Sequence, residues 1–233
     1  MKCNSLYELA RKIDISAVRT DVTLEELSQL AETAREYQFI CAFTMPCFTP
    51  HLIELLKDTP EVGVGGVVGF PSGAESTSTK IRIANELKKA GCQELDMVIN
   101  VGALKSGAYD LVRDDIKAVV NAADGLPVKS ILEICYLTDE EIRIASQLAV
   151  EAGVTYVKTG TGWGPKPTTV ETIRTIRSAI GDGAKIKAAG GVRDLDTLLA
   201  MIDAGCDRFG ISAGSCRKIM KEAELRFPQK ILA

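Results

Sequence analysis

The sequence predicts an α/β chain folded as a (β/α)8 barrel, the TIM-barrel architecture, in one domain spanning residues 1–233. Two observations lead there. Eight short apolar runs alternate from end to end with amphipathic helical patterns, one pair every roughly 20–35 residues. The 233 residues, 46% of them hydrophobic, suffice for one large core, and no linker or low-complexity stretch divides them. The rival fold is a doubly wound open sheet. It expects Gly-x-Gly-x-x-Gly after the first strand, and none stands there.

The first strand reads over 12–15, with Asp14 near its end, and a helical pattern follows over 24–37. The second strand, 39–43, leads to a helix over 50–57, with Pro50 at its start and His51 on its surface. The third strand spans 62–69, and the helix over 79–90 closes at Gly91. The fourth strand spans 94–100. Period two puts Asp96, Val98 and Asn100 on one face and Leu95, Met97 and Ile99 on the other. A helix over 109–123 precedes the fifth strand, 128–134. In the next helix, 139–152, Ile142, Ala145, Leu148 and Ala149 form one apolar stripe, and Thr138 with Glu141 is a capping box. The sixth strand spans 155–159 and its helix 169–180. The seventh spans 185–189 and its helix 195–204, and the eighth strand is 208–212. Gly91, Gly153 and Gly205 each follow an alanine, where a left-handed residue closes a helix.

Composition narrows the function. Aromatics are 5% of the chain and the net charge is −3 with signs interspersed, which argues against a nucleic-acid surface. No stretch approaches a membrane span and the first residues lack the apolar run of a signal peptide, so a cytoplasmic protein is expected. Seven cysteines, an odd number without Cys-x-x-Cys, read as reduced thiols; Cys41 and Cys47 are expected to be buried and inert. A single histidine leaves little for a histidine zinc site or a Ser-His-Asp triad. Neither metal nor organic cofactor is called for.

Two lysines carry the chemical signal. Lys158 ends Val154-Thr155-Tyr156-Val157-Lys158, and Lys187 sits in Lys185-Ile186-Lys187-Ala188-Ala189, each just before a glycine-rich loop. Ionised lysine is seldom buried without a partner. Neighbouring strands lie about 4.8 Å apart, so two inward lysines would repel and one would lose its proton more readily. A neutral amine near pH 7 is a nucleophile toward carbonyls. The alternative is that each lysine snorkels outward or pairs with a carboxylate. Asp96 reads either as an acid/base group or as a buried ion-pair partner. Gly190 and Gly191 follow the seventh strand, and Gly210 and Ser212 belong to the eighth. Phosphate sites of this architecture form from those loops and a helix N-terminus, although two tight turns would leave the same trace. Asp14 reads equally as a site residue or a turn residue.

Taken together, four stretches resemble the deoxyribose-phosphate aldolase family of class I aldolases. They are Val68-Gly69-Phe70-Pro71-Ser72-Gly73-Ala74, Glu94 through Gly102, Tyr156 through Gly162, and Lys185 through Arg193. The likeness runs from about Asp14 to Ser215. It implies reversible cleavage of 2-deoxy-D-ribose 5-phosphate to acetaldehyde and D-glyceraldehyde 3-phosphate through a lysine Schiff base. By the family pattern Lys158 matches the Schiff-base lysine, Lys187 the lysine that depresses its pKa, and Asp96 the carboxylate working through water. Gly162, Gly190, Gly191, Gly210 and Ser212 match positions around the substrate phosphate. Asp14 matches an aspartate that holds the network near the lysines. The expected partner is a phosphorylated sugar, with a homo-oligomer, dimer or tetramer, in place of nucleic acid or membrane. Two other readings stand beside this one: a related aldolase acting on another phosphorylated sugar, and a non-catalytic phosphometabolite-binding barrel. The chain departs from the family at Phe43, where members often carry Cys, at Gly160, where many carry Ser, and at Trp163, where some carry Lys.

Overall fold

Eight parallel strands pair in chain order and close on themselves, β8 returning to β1. The computed structural model describes residues 3–227; the ends of the expected domain, 1–2 and 228–233, lie outside the described residues. The strands are β1 (Ile13–Ala17), β2 (Cys41–Thr44), β3 (Gly63–Val68), β4 (Glu94–Val98), β5 (Val128–Ile131), β6 (Tyr156–Lys158), β7 (Lys185–Ala189) and β8 (Arg208–Ser212). The helices are α1 (Leu6–Ala10), α2 (Leu24–Tyr37), α3 (Thr49–Leu56), α4 (Thr77–Ala90), α5 (Val101–Lys105), α6 (Tyr109–Ala123), α7 (Asp139–Glu151), α8 (Val170–Ile180), α9 (Leu195–Asp203) and α10 (Ala213–Arg226).

Local chemistry sets the helix ends. Thr138 and Glu141 form the expected capping box, and Thr23 and Glu26 form a second. Each satisfies two orphaned backbone donors. Ser76 caps α4 through the Thr79 N–H, so that helix starts two residues before the predicted point. Gly91, Gly153 and Gly205 take positive φ, as their places after helices require.

Strand ends differ from the predicted ones where a polar side chain leaves the ladder. The fourth strand stops at Val98 because the Asn100 side chain accepts from the Ala103 N–H, 3.0 Å away, and begins α5. Asn100 therefore does not continue the Asp96 face. The fifth strand stops at Ile131, because Glu133 adopts a left-handed backbone with φ 56° and ψ 58°. The first strand runs on to Ala17, which makes Asp14 its second residue and not its end.

Most of the core lies between barrel and helices. Ile13, Ile15, Leu95, Met97, Val157, Ile186 and Phe209 pack outward against helix residues such as Leu30, Ile116, Ile176 and Leu198. The interior of the barrel is different. Cys41, Phe43 and Val67 form a small apolar group there, and Asp14, Asp96, Lys129, Lys158, Lys187 and Arg208 are buried beside it. Barrels of this kind usually fill that space with branched apolar side chains. Burying so many charges is tolerable only if they pair.

Candidate active site

The charges do pair. Alternation along each strand turns Asp14, Glu94, Asp96, Lys129, Lys158, Lys187 and Arg208 inward, and register brings them level: Asp96 sits beside Lys129, Lys158 beside Lys187, and Lys187 beside Arg208. The Asp96 carboxylate accepts from three ammoniums, Lys129 Nζ at 2.9 Å on Oδ1 and Lys158 and Lys187 Nζ at 2.7 and 2.6 Å on Oδ2. Lys129 also reaches Glu94 Oε2 at 2.6 Å. Arg208 donates to Asp14 Oδ1 and to Glu94 Oε2, both at 2.7 Å. Lys187 Nζ stands 2.5 Å from Asp14 Oδ2, but at an angle that leaves this oxygen without a hydrogen bond.

Four basic groups thus face three carboxylates, and the network carries one positive charge in excess. Burial works to raise the Asp96 carboxyl. Lys129, Lys158 and Lys187 outweigh it and hold the group well below the usual carboxylate range. Asp14 is likewise held down, by Lys187 and Arg208 against burial. Burial also works against the charge of Lys129, yet Asp96, Asp14 and Glu94 keep its pKa raised. Lys158 goes the other way. Burial first, and Lys187 next among the depressing influences, overcome Asp96 and push the ammonium down to about 8 from 10.5. The repulsion expected between the two lysines is real, but desolvation is the larger cause.

A cavity of about 360 Å³ opens above this network at the C-terminal ends of the strands. Its wall includes Lys158, Lys187 and Asp14, together with Gly162, Gly190, Gly191, Gly210 and Ser212, so eight of the nine residues singled out in the sequence meet there. Asp96, the ninth, is fully buried behind the lysines and has no surface on the cavity. Gly190 and Gly191 both take positive φ, and a Cβ on Gly191 would lie 2.3 Å from that of Pro167, so no larger residue fits. Ser212 is the N-cap of α10 and its hydroxyl turns to Ser215, leaving the first backbone N–H groups of the helix without a side-chain cap.

Sequence reasoning missed several members. Lys129 bears the same mark as Lys158, a lysine in an apolar strand, but no glycine loop follows it. Glu94 and Arg208 start strands, where a charge reads as solvent-facing. Phe43 fills the interior between two lysines, its ring centroid 4.3 Å from Lys187 Nζ and 4.9 Å from Lys129 Nζ. Of the two cysteines expected to be buried, Cys41 is; Cys47 is exposed, because it lies in the one-turn helix Pro46–Phe48 after β2. Sγ of Cys41 and carboxylate oxygens of Asp14 and Glu94 come within 4.8 Å of one another. Both carboxylates are already held by Arg208 and lysine, and burial, then Asp14, push the thiol well up. This grouping is part of the ion-pair network.

A family model described as DeoC/LacD family aldolase matches residues 11–219. The chain belongs to that family. It is 43% identical over 228 residues to the deoxyribose-phosphate aldolase of Klebsiella pneumoniae, covering 96% of this chain and 92% of that protein. It is 49% identical over 205 residues to the one from Sinorhizobium medicae, covering 88% and 83%. Among solved structures, the tetrameric deoxyribose phosphate aldolase of Aeropyrum pernix superposes with a TM-score of 0.85 at 29% identity, over 94% of this chain and 92% of that one. An aldolase called QR15 gives 0.87 at 34% identity, over 93% and 96%. This DeoC/LacD aldolase is accordingly a carbon–carbon lyase on a closed eight-stranded barrel. Among its described residues no helix is long and apolar enough to cross a membrane.

Proposed function

We propose that this aldolase reversibly cleaves 2-deoxy-D-ribose 5-phosphate to acetaldehyde and D-glyceraldehyde 3-phosphate through a Schiff base on Lys158. The observation that carries the reading is the Lys158 amine: on the wall of the cavity, in a network with one cation too many, and pushed down to about 8. Roughly a tenth of it is neutral at pH 7, against about one part in three thousand at 10.5. Loss of the Lys158 proton balances the buried charges, so the site carries far more of the nucleophilic form at pH 7 than a lysine in water does.

The neutral amine attacks C1 of the open-chain sugar, and loss of water gives an iminium. The C2–C3 bond then breaks. Its electron pair passes to the iminium nitrogen to leave an enamine, while the proton of the C3 hydroxyl goes to the Asp96–lysine network and C3 becomes the aldehyde of the departing triose phosphate. Protonation of the enamine carbon and hydrolysis by water release acetaldehyde and restore Lys158. Asp96 acts from behind. It fixes both lysines and, through water, takes up and returns the protons exchanged with the cavity. The phosphate end of the substrate would rest on Gly162, Gly190, Gly191, Gly210 and Ser212, against the N-terminus of α10.

The test is reductive trapping. Acetaldehyde with borohydride should leave an ethyl group on Lys158, read by mass spectrometry, and none on a Lys158→Leu chain. An adduct elsewhere, or none, sinks the imine reading. Comparing cleavage rates across sugar phosphates decides the substrate, with 2-deoxy-D-ribose 5-phosphate expected fastest. We further assign residues 1–233 to one barrel domain, working in the cytoplasm as a homodimer or homotetramer; light scattering of the purified chain reads the assembly.

A further inference from the structure

The ionic network leaves one buried carboxylate unexplained. Glu133, just past β5, is 6% exposed and has no ion-pair partner among the described residues. Among the described residues it is one of three other than glycine with positive φ, at 56°. A left-handed backbone at a residue other than Gly is disfavoured and persists where its surroundings demand it.

What demands it is the loop after β6. The Glu133 carboxylate accepts from the Thr161 N–H, 3.3 Å from Oε2, from the Thr161 hydroxyl, and from the Cys135 thiol at 3.6 Å. Burial, then Glu133, push that thiol up to about 11, so it remains a donor. Thr161 Oγ1 in turn accepts from the Trp163 N–H at 3.0 Å, and the indole Nε1 donates to the Val18 carbonyl at 2.8 Å, across the cavity mouth on the loop after β1. Thr161, Gly162, Trp163 and Val18 all line the cavity. The glycines of this loop fit the same clamp. A Cβ at Gly160 would lie 3.0 Å from Glu133 Oε1, and one at Gly164 would lie 2.2 Å from Cys135 Sγ.

We propose that Glu133 is a positioning residue for recognition of the substrate's phosphate: its carboxylate fixes Thr161, and through Thr161 it sets Gly162 and Trp163 where the phosphate end is held. This rests on the reading of the cavity as a phosphorylated-sugar site, and it adds a residue that touches neither substrate nor Lys158. Acetaldehyde, which has no phosphate, would not reach this loop. Glu133 should therefore govern phosphate affinity and leave imine formation alone.

The experiment takes the full chain with Glu133→Leu, Glu133→Gln and Thr161→Val, and uses inorganic phosphate as the probe in a phosphorus NMR titration. Glu133→Leu and Thr161→Val should each weaken phosphate binding about tenfold and raise KM for 2-deoxy-D-ribose 5-phosphate by a similar factor, with kcat within about threefold. Glu133→Gln, which keeps one acceptor oxygen, should recover most of the loss. The rate of acetaldehyde trapping on Lys158 should be unchanged in all three. Unaltered phosphate affinity in Glu133→Leu, or in Thr161→Val should the first variant fail to fold, overturns the proposal. So does a parallel loss of phosphate affinity and acetaldehyde trapping, the mark of a merely structural role. A wild-type chain that binds phosphate but forms no ethyl adduct refutes the imine on Lys158 instead, and the phosphate titration then still decides the role of Glu133.

Discussion

Lys158 and Lys187 donate to the same oxygen: Oδ2 of Asp96 lies 2.7 Å from the first ammonium and 2.6 Å from the second, on paired strands in direct register. One carboxylate oxygen cannot fully compensate two buried cations. Lys187 has a second anion in Asp14, whereas Lys158 has only Asp96 and is the one that yields its proton.

The rate of acetaldehyde trapping should therefore rise about tenfold per pH unit below a midpoint near 8 and level off above it. Protonated amine does not attack, so the sign is set by the fraction neutral. A midpoint near the ordinary lysine value would place Lys158 outside the low-pKa role. The measurement is a series of initial trapping rates between about pH 6 and pH 10.

Replacing Lys187 with Met should move that midpoint upward, by on the order of one unit. Two effects act together: a repelling cation is removed, and Asp96 Oδ2 is left to Lys158 alone. The same pH series on Lys187→Met decides it, and an unmoved or lowered midpoint contradicts the coupling.

The Lys158→Met variant should be no less stable than the wild type at pH 7. The folded-state pKa of about 8 lies below the unfolded value near 10.5. The stability linked to this group is thus fully present above 10.5 and is lost as pH falls through about 8, a difference on the order of 3 kcal/mol. Met cannot be charged, so its advantage is largest below pH 8 and fades toward pH 10.5. Urea unfolding at both ends of that range reads it.

Much of this was legible in the sequence because the barrel is built from local pattern. Strand-helix alternation, the Thr138 capping box and the glycines after helices are short-range signals, and they placed every strand. Lys158 and Lys187 stood out because an apolar strand ending in lysine before glycines has few bland explanations. What stayed hidden depends on contact between distant segments. Nothing near Lys129 announces that Glu94 and Asp96 will surround it, and Glu133 gains meaning only from Thr161, 28 residues away. The short α1 and α5 and the whole of α10 were missed for a different reason: five residues hold too little periodicity, and Gly214 and Ser215 read as turn.

Lys129→Met should be among the most damaging substitutions away from the cavity. Its ammonium is fully buried between Glu94 and Asp96, at 2.6 and 2.9 Å. Methionine matches the volume but takes one ammonium from each of two carboxylates, leaving Glu94 to Arg208 and Asp96 to Lys158 and Lys187, and breaking a buried ion pair from one side costs about 3–5 kcal/mol. Chemical denaturation should show the loss at pH 7. Stability within about 1 kcal/mol of the wild type would mean that Lys187 and Arg208 absorb the abandoned charge unaided.

Phe43 and Gly65 should behave as one unit. A Cβ on Gly65 would stand 2.1 Å from Cζ of the Phe43 ring, so the ring occupies space that only glycine leaves free. That ring also lines the cavity and lies over the Lys187 ammonium. Gly65→Ala must displace it, and overpacking of this kind costs about 1–3 kcal/mol. The ring would move toward the cavity and the lysines, so trapping by acetaldehyde should slow as well. Phe43→Ala opens a gap at the same place and loses the cation–π contact. Combined with Gly65→Ala, it should be less harmful than the sum of the two single changes, because the new methyl group then enters vacated space. A double-mutant cycle in unfolding free energy should give a coupling of about 1 kcal/mol or more in the favourable direction. Simple additivity would show that the ring escapes the methyl group without penalty, and the tight fit between these strands would then have no part in holding Lys187 in place.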